Sequence, residues 1–174
     1  MFAPGFRIGW ALAPDQITQK LVVANETAIL TPSMAAEMSI SKYLHDFDWY
    51  AQVDKFRVMY RGRARATLEA LKKYLPDCTW THPVGGFYTW VHFSDGINTN
   101  AMLPRAVQNL VAYVSGTAFY ADGRGSDYLR IAYCYPPEEQ IREGIRRLAV
   151  TVEQEKALIA NGEAASAVSS AKSA

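Results

Sequence analysis

The sequence predicts an α/β chain, α+β within its C-terminal part, on three observations. Apolar residues recur at three- and four-residue steps through most of 14–75. From Cys78 the period changes to two, and turn residues divide the chain into short segments. Two more helical patterns then interrupt and close this strand-rich region. With 174 residues, 49% hydrophobic and 20% charged, the chain can build one sizeable core, or one domain plus a piece of another.

The opening stretch, MFAPGFRIGW, alternates Phe6, Ile8 and Trp10, which predicts a buried strand. Gly5 and Gly9 leave room for a ligand or another backbone to approach. Arg7 is thereby predicted buried as well, and a buried guanidinium needs an anion. Nothing acidic stands nearby before Asp15. Pro14 sits where a first helical residue should, and Ile17, Leu21, Ala24 and Ala28 predict a helix over 14–30. Thr31 as cap and Pro32 in the first turn start a second helix carrying Met34, Met38 and Leu44. Trp49, Val53, Phe56, Tyr60, Ala64, Leu68, Leu71 and Leu75 then hold helical spacing until Pro76. That predicts one long connecting helix.

CTWTH and FYTWVHF flank the turn-rich PVGG and predict paired strands. NTNAMLPRAVQNL reads as a short helix, VAYV as a strand, GTAFYADGRGSD as a glycine-rich loop and YLRIAYC as a further strand. Pro136 and Pro137 lead into a last helix with Ile141, Ile145, Leu148 and Val152 on one side, and Asn161-Gly162 should stop it. EAASAVSSAKSA has no period, which predicts a disordered tail. The expected organisation is residues 1–50, unable to close a core alone, a connecting helix over 51–75, a compact unit over 76–160 and a tail over 161–174.

Lys+Arg of 18 against Asp+Glu of 17 leaves a net charge of +1, which points to neither nucleic acid nor an anionic membrane. Arg57, Arg61, Arg63, Arg65, Lys72 and Lys73 read as a solvated helix face rather than a polyanion site. Cys78 and Cys134 fall in apparent strands, without the companions a metal needs, and read as reduced core residues. His45, His82 and His92 are scattered, and no metal is expected. No apolar run approaches membrane-spanning length and no leader pattern is visible, so a cytoplasmic location is expected.

Arg130 is the second arginine set among apolar neighbours. In DYLRIAYC, Leu129, Ile131 and Tyr133 point one way and Tyr128, Arg130, Ala132 and Cys134 the other. An internal salt bridge to Asp127 or Glu139 and a grip on the carboxylate of a ligand explain it equally well. Arg7 and Arg130, one on each part, suggest a cleft between the parts for ligands carrying two separated negative charges.

APGFRIGWALAP, RVMYRGRARATLEAL, WTHPVGGFYTWVHF, VAYVSGTAFYADGRGSDYLRIAYC and EEQIREGIRRLA, in that order, resemble the C-terminal part of class I, fold type I pyridoxal-phosphate aminotransferases. The likeness is greatest to the subgroup acting on 2-aminoadipate, kynurenine and other large amino acids. It implies a remnant of the large cofactor-binding domain, a connecting helix and a small C-terminal domain. It also implies transfer of an amino group between an amino acid and a 2-oxo acid through pyridoxal 5'-phosphate, in a homodimer. Arg7 takes the family position that contacts the cofactor phosphate, and Arg130 the one that binds the substrate α-carboxylate. The resemblance places the Schiff-base lysine just before Met1, so no catalytic residue is expected in this chain, which should be inactive alone. Lys20 and Lys42 fall on predicted helices outside that motif. Ser115-Gly116 stands where the family often has Pro-Gly, and Phe87-Tyr88 where it has a methionine-phenylalanine pair. The alternatives are a non-catalytic ligand-binding module, such as the effector part of an aminotransferase-like transcription regulator, and a free-standing interaction domain.

Overall fold

The computed structural model describes residues 3–172, with side chains through residue 162. The chain divides into two units, Met1–Arg57 and Val58–Ala174.

In the first unit the alternation of Phe6, Ile8 and Trp10 does not make a strand. Pro4–Phe6 form a single 3-10 turn, closed by the Phe6 N–H to the Ala3 carbonyl at 3.0 Å and the Arg7 N–H to the Pro4 carbonyl at 3.2 Å. Arg7 leaves that turn at φ 58 and is exposed, contrary to the burial its neighbours predict. A strand needs partners for its backbone groups, and no strand is described in this unit. Phe6, Ile8 and Trp10 instead line an apolar cavity of about 650 Å³ with Ile40, Tyr43, Leu44 and Phe56.

Helix α1 spans Asp15–Ile29, with Pro14 at its N-cap rather than inside it. Leu30, at φ 63, ends it. Helix α2 spans Met34–Asp46 and starts later than Thr31-Pro32 suggest, because the Ser33 hydroxyl accepts from the Ala36 N–H at 3.5 Å. Helix α1 buries no residue: Ile17, Leu21, Val22 and Val23 remain 47–60% exposed. Helix α3, Trp49–Tyr74, covers most of the long helix expected over 51–75, and the division between the units falls inside it. Asp48 opens it by accepting from the Ala51 N–H at 3.1 Å.

The second unit holds the core. Strands β1 (Thr79–Trp80), β2 (Tyr88–His92), β3 (Val114–Ser115) and β4 (Tyr128–Ala132) form one antiparallel sheet in the order β1-β2-β4-β3. Helix α4, Thr99–Gln108, precedes β3, and its N-cap Asn98 accepts from the N–H groups of Asn100 and Ala101. One sheet face buries Thr89, Val91 and Leu129. Helix α5 runs Glu138–Lys172. Ala66, Ala70 and Leu71 of α3, Met102 and Ala106 of α4, and Ile141, Ile145, Leu148 and Val152 of α5 complete that core. Each fully buried large aliphatic side chain contributes roughly 1.5–3 kcal/mol to holding the layers together.

Helix α5 continues past the stop expected at Asn161-Gly162 and through most of the stretch expected to be disordered. One mid-helix glycine costs only about 1 kcal/mol, and the alanines that follow favour helix. Residues 173–174 of that stretch lie outside the described ones. Cys78 and Cys134 are free and half-buried, just outside β1 and β4, with Cys78 packed against the edge of the core. Among the described residues no helix is long and apolar enough to cross a membrane, and no cluster of candidate metal ligands occurs.

Candidate functional site

The face of the sheet opposite the core carries the chemistry. Because side chains alternate along a strand, Tyr88, Trp90 and His92 of β2 share that face with Tyr128, Arg130 and Ala132 of β4. The register sets Trp90 opposite Arg130, His92 opposite Tyr128 and Tyr88 opposite Ala132. From the other side Val114 of β3 stands opposite Arg130. The guanidinium therefore rises from the middle of a four-stranded sheet, surrounded by aromatic rings.

The Arg130 Cζ lies 4.0 Å from the centroid of the Tyr88 ring and 4.7 Å from that of Phe119. Phe119 ends the 3-10 turn Gly116–Phe119 that follows β3. Trp90 meets Phe119 edge-on, with centroids 5.2 Å apart, and stacks on Tyr128 at 5.7 Å. Arg130 Nε is buried and has no hydrogen-bond partner. Among the described residues no carboxylate pairs with this guanidinium. Asp127, the carboxylate nearest in sequence, meets His92, whose Nε2 lies 3.0 Å from its Oδ2. Of the two explanations for Arg130, the internal salt bridge is absent.

A buried polar network holds β3, β4 and the start of α4 in this arrangement. The Thr99 hydroxyl donates to the Tyr128 carbonyl at 2.7 Å and lies 2.9 Å from the Ser115 hydroxyl. The Tyr113 hydroxyl donates to the Thr99 carbonyl at 2.6 Å, and burial pushes its pKa up, with Glu155 adding to the effect. The proton of Tyr113 therefore stays in place as a structural donor.

Arg7 and Arg130 fall in different units. Arg7 is exposed, and no ion pair engages it among the described residues. The basic residues of α3 are spread among separate partners: Arg57 pairs with Asp54 at 2.8 Å, Arg65 with Glu69 at 3.9 Å, and Arg63 donates to the Cys134 carbonyl at 2.5 Å. Arg57 and Arg65 lie on the solvated face expected of them, whereas Arg63 is half-buried and departs from that expectation. The aromatic surroundings of Arg130 were missed as a group, although Tyr88, Trp90 and His92 share one parity in the strand and Phe119-Tyr120 sit in the glycine-rich loop.

Comparison with known proteins gives a consistent answer. The model of the family described as aminotransferase class I and II matches residues 1–148. Aromatic-amino-acid aminotransferase 1 of Thermococcus litoralis is 38% identical over 156 residues, 89% of this chain and 37% of that protein. The crystal structure of LysN, the alpha-aminoadipate aminotransferase of Thermus thermophilus, superposes with a TM-score of 0.82 at 32% identity, covering 90% of this chain and 40% of that one. The kynurenine aminotransferase of Pyrococcus horikoshii superposes with a TM-score of 0.79 at 37% identity, covering 88% and 38%. The chain thus spans less than half the length of each of these relatives. Likeness of sequence and of fold over nearly all its own residues shows that the chain belongs to the class I and II aminotransferases of fold type I, in their 2-aminoadipate/kynurenine-type subgroup.

Proposed function

We propose that this chain forms part of a pyridoxal-phosphate-dependent aminotransferase that moves an amino group between an amino acid and a 2-oxo acid, and that the 174 residues alone do not complete the catalyst. The observation that carries the reading is the unpaired guanidinium of Arg130. A cation set among aromatic rings in the middle of a sheet, with Nε buried and no carboxylate of its own, calls for an anion from outside. The α-carboxylate of an amino acid or 2-oxo acid fits its planar fork.

The residues present fit the cofactor in part. Arg7, exposed and free of any described carboxylate, supplies a cation for its phosphate. Lys42 is held by Asp46 at 2.5 Å and Lys156 by Asp95 at 2.8 Å, so neither amine is poised for covalent work. When bound, pyridoxal phosphate supplies an electron sink for the charge left at Cα when its proton departs. Arg130 contributes orientation: fixing the carboxylate selects which bond at Cα is presented for cleavage. The Tyr88 and Phe119 rings lie beside the guanidinium, and burial of its Nε strengthens the hold of that edge of the site on an anion. The complete protein works as a homodimer in this reading, in line with the exposed apolar residues of α1.

Equilibrium dialysis of the chain against pyridoxal phosphate and against a 2-oxo acid tests the assignments. Arg7→Ala should weaken retention of the phosphate compound. Arg130→Gln should weaken 2-oxo acid binding about a hundredfold or more, since each lost hydrogen bond to a charged group costs roughly 1.5–3 kcal/mol. Unchanged binding in either variant overturns that residue's role. Amino transfer by the 174-residue chain itself would overturn its incompleteness.

A further inference from the structure

We propose that Tyr88 and Phe119 are positioning residues for Arg130, holding its guanidinium through their rings so that the Nη end is what a carboxylate meets. The inference rests on the reading of Arg130 given above and adds the groups that make it work.

One ring comes from a strand that adjoins Arg130 in the sheet, the other from the turn that follows the strand on its other side. Tyr88 lies on β2, two residues from the Trp90 that faces Arg130 across the register, so it is the diagonal neighbour on the same face. Phe119 comes from the turn after β3, whose Val114 flanks Arg130 on the other side. Distances of 4.0 and 4.7 Å from Cζ to the ring centroids put the cation within reach of both quadrupoles. Each ring is braced in turn. Trp90 meets Phe119 at 81°, and Phe87 meets Tyr88 at 89° with centroids 6.3 Å apart. Phe87 itself rests edge-on against Tyr60 at 4.9 Å.

This arrangement solves a conflict. An arginine at the centre of a sheet needs a compensating charge, yet an internal carboxylate would occupy the fork and shut out a ligand. Aromatic rings offer partial compensation without taking up the hydrogen-bonding edge. Asp127, the carboxylate closest in sequence, is diverted to His92. With Nε buried, what remains for a ligand is the pair of Nη groups, already ordered before it arrives.

Nitrogen-15 NMR of the 174-residue chain tests the proposal. The Arg130 Nε–Hε signal, identified by its loss in Arg130→Gln, should be displaced by ring currents and exchange slowly with water. Tyr88→Leu and Phe119→Leu should each return it toward its ordinary position; Tyr88→Phe and Phe119→Tyr should keep it displaced. Tyr88 and Phe119 are 43% and 44% exposed, so these changes leave the core intact. The second arm titrates 3-phenylpropionate, with its neutral amide as control. Each leucine variant should bind the carboxylate roughly fivefold or more weakly, with affinity restored in the aromatic variants.

An undisplaced signal in the unaltered chain overturns the proposal. Equal affinity in the leucine variants, with binding abolished by Arg130→Gln, overturns it while leaving the role of Arg130 standing. Binding that survives Arg130→Gln, or no saturable binding by the unaltered chain, overturns both.

Discussion

Replacing Gly116 with alanine should destabilise the second unit far more than the same change at Gly62 or Gly144. Gly116 is buried, and a Cβ built on it would stand 2.3 Å from the Gly125 carbonyl oxygen, 2.7 Å from Tyr128 Cβ and 3.0 Å from the Tyr128 carbonyl oxygen. Ordinary contact begins near 3.4 Å, so backbone must move by about 1 Å. The Gly125 carbonyl is not free to do so, because it accepts the Tyr128 N–H at 3.1 Å and Tyr128 opens β4. Overpacking costs roughly 1–3 kcal/mol, and weakening that hydrogen bond adds about 1 kcal/mol. The sum, about 2–4 kcal/mol, lowers the melting temperature by roughly 4–16 °C for a chain of this size. The other two glycines serve as controls. A Cβ at Gly144, in α5, meets nothing within 4 Å, and Gly144→Ala should stabilise by up to about 1 kcal/mol. A Cβ at Gly62, in α3, meets only the Glu138 carboxylate end, 2.3 Å from Oε1, which can swing away. Gly62→Ala should therefore be near neutral. Urea unfolding of the three variants reads the order directly. A Gly116→Ala variant within about 0.5 kcal/mol of the parent would refute the reasoning.

Two titratable groups give further tests. Hydrogen bonds from Arg146 and Arg147 hold the Glu143 carboxyl down to about 2, from an ordinary 4.5. Its folded pKa lies below the unfolded one, so its contribution to stability is present above pH 4.5 and disappears as pH falls through 2. Carbon-13 NMR should show a midpoint near 2 that rises in Arg146→Gln; an ordinary midpoint in the unaltered chain would contradict the geometry. Burial raises the Cys78 thiol to about 11 from 9.0, the charges of Asp95 and Asp77 assisting and Lys156 opposing. In a Cys134→Ser background at about pH 8, Cys78 should react with a disulfide reagent about a hundredfold more slowly than an ordinary thiol, in proportion to its smaller thiolate fraction. Reaction at the ordinary rate would show that the thiol is not shielded.

Much of the second unit was legible along the chain. The two-residue period of FYTWVHF and YLRIAYC placed β2 and β4, and the parity of Leu129 against Arg130 separated the core face from the open one. The spacing of Ile141, Ile145, Leu148 and Val152 placed the buried side of α5. The same rule failed at Phe6, Ile8 and Trp10, since alternation predicts a strand only where another strand is available to pair with it. At Arg130 the sequence left two explanations level, because spacing says which way a side chain points but not which carboxylate will be within reach. In the structure no carboxylate among the described residues pairs with Arg130, and Asp127 meets His92, 35 positions away.

Local order therefore came from the chain itself: which segments form helices, which strand faces are apolar, and which arginines stand among apolar neighbours. Those features depend on residues a few positions apart. Tertiary structure alone decided what surrounds the guanidinium, because Tyr88, Phe119 and Arg130 come from three separate segments that only the sheet register and the turn after β3 bring together. A cation's partners are set by distances of a few ångströms in space, and no pattern along a sequence measures those.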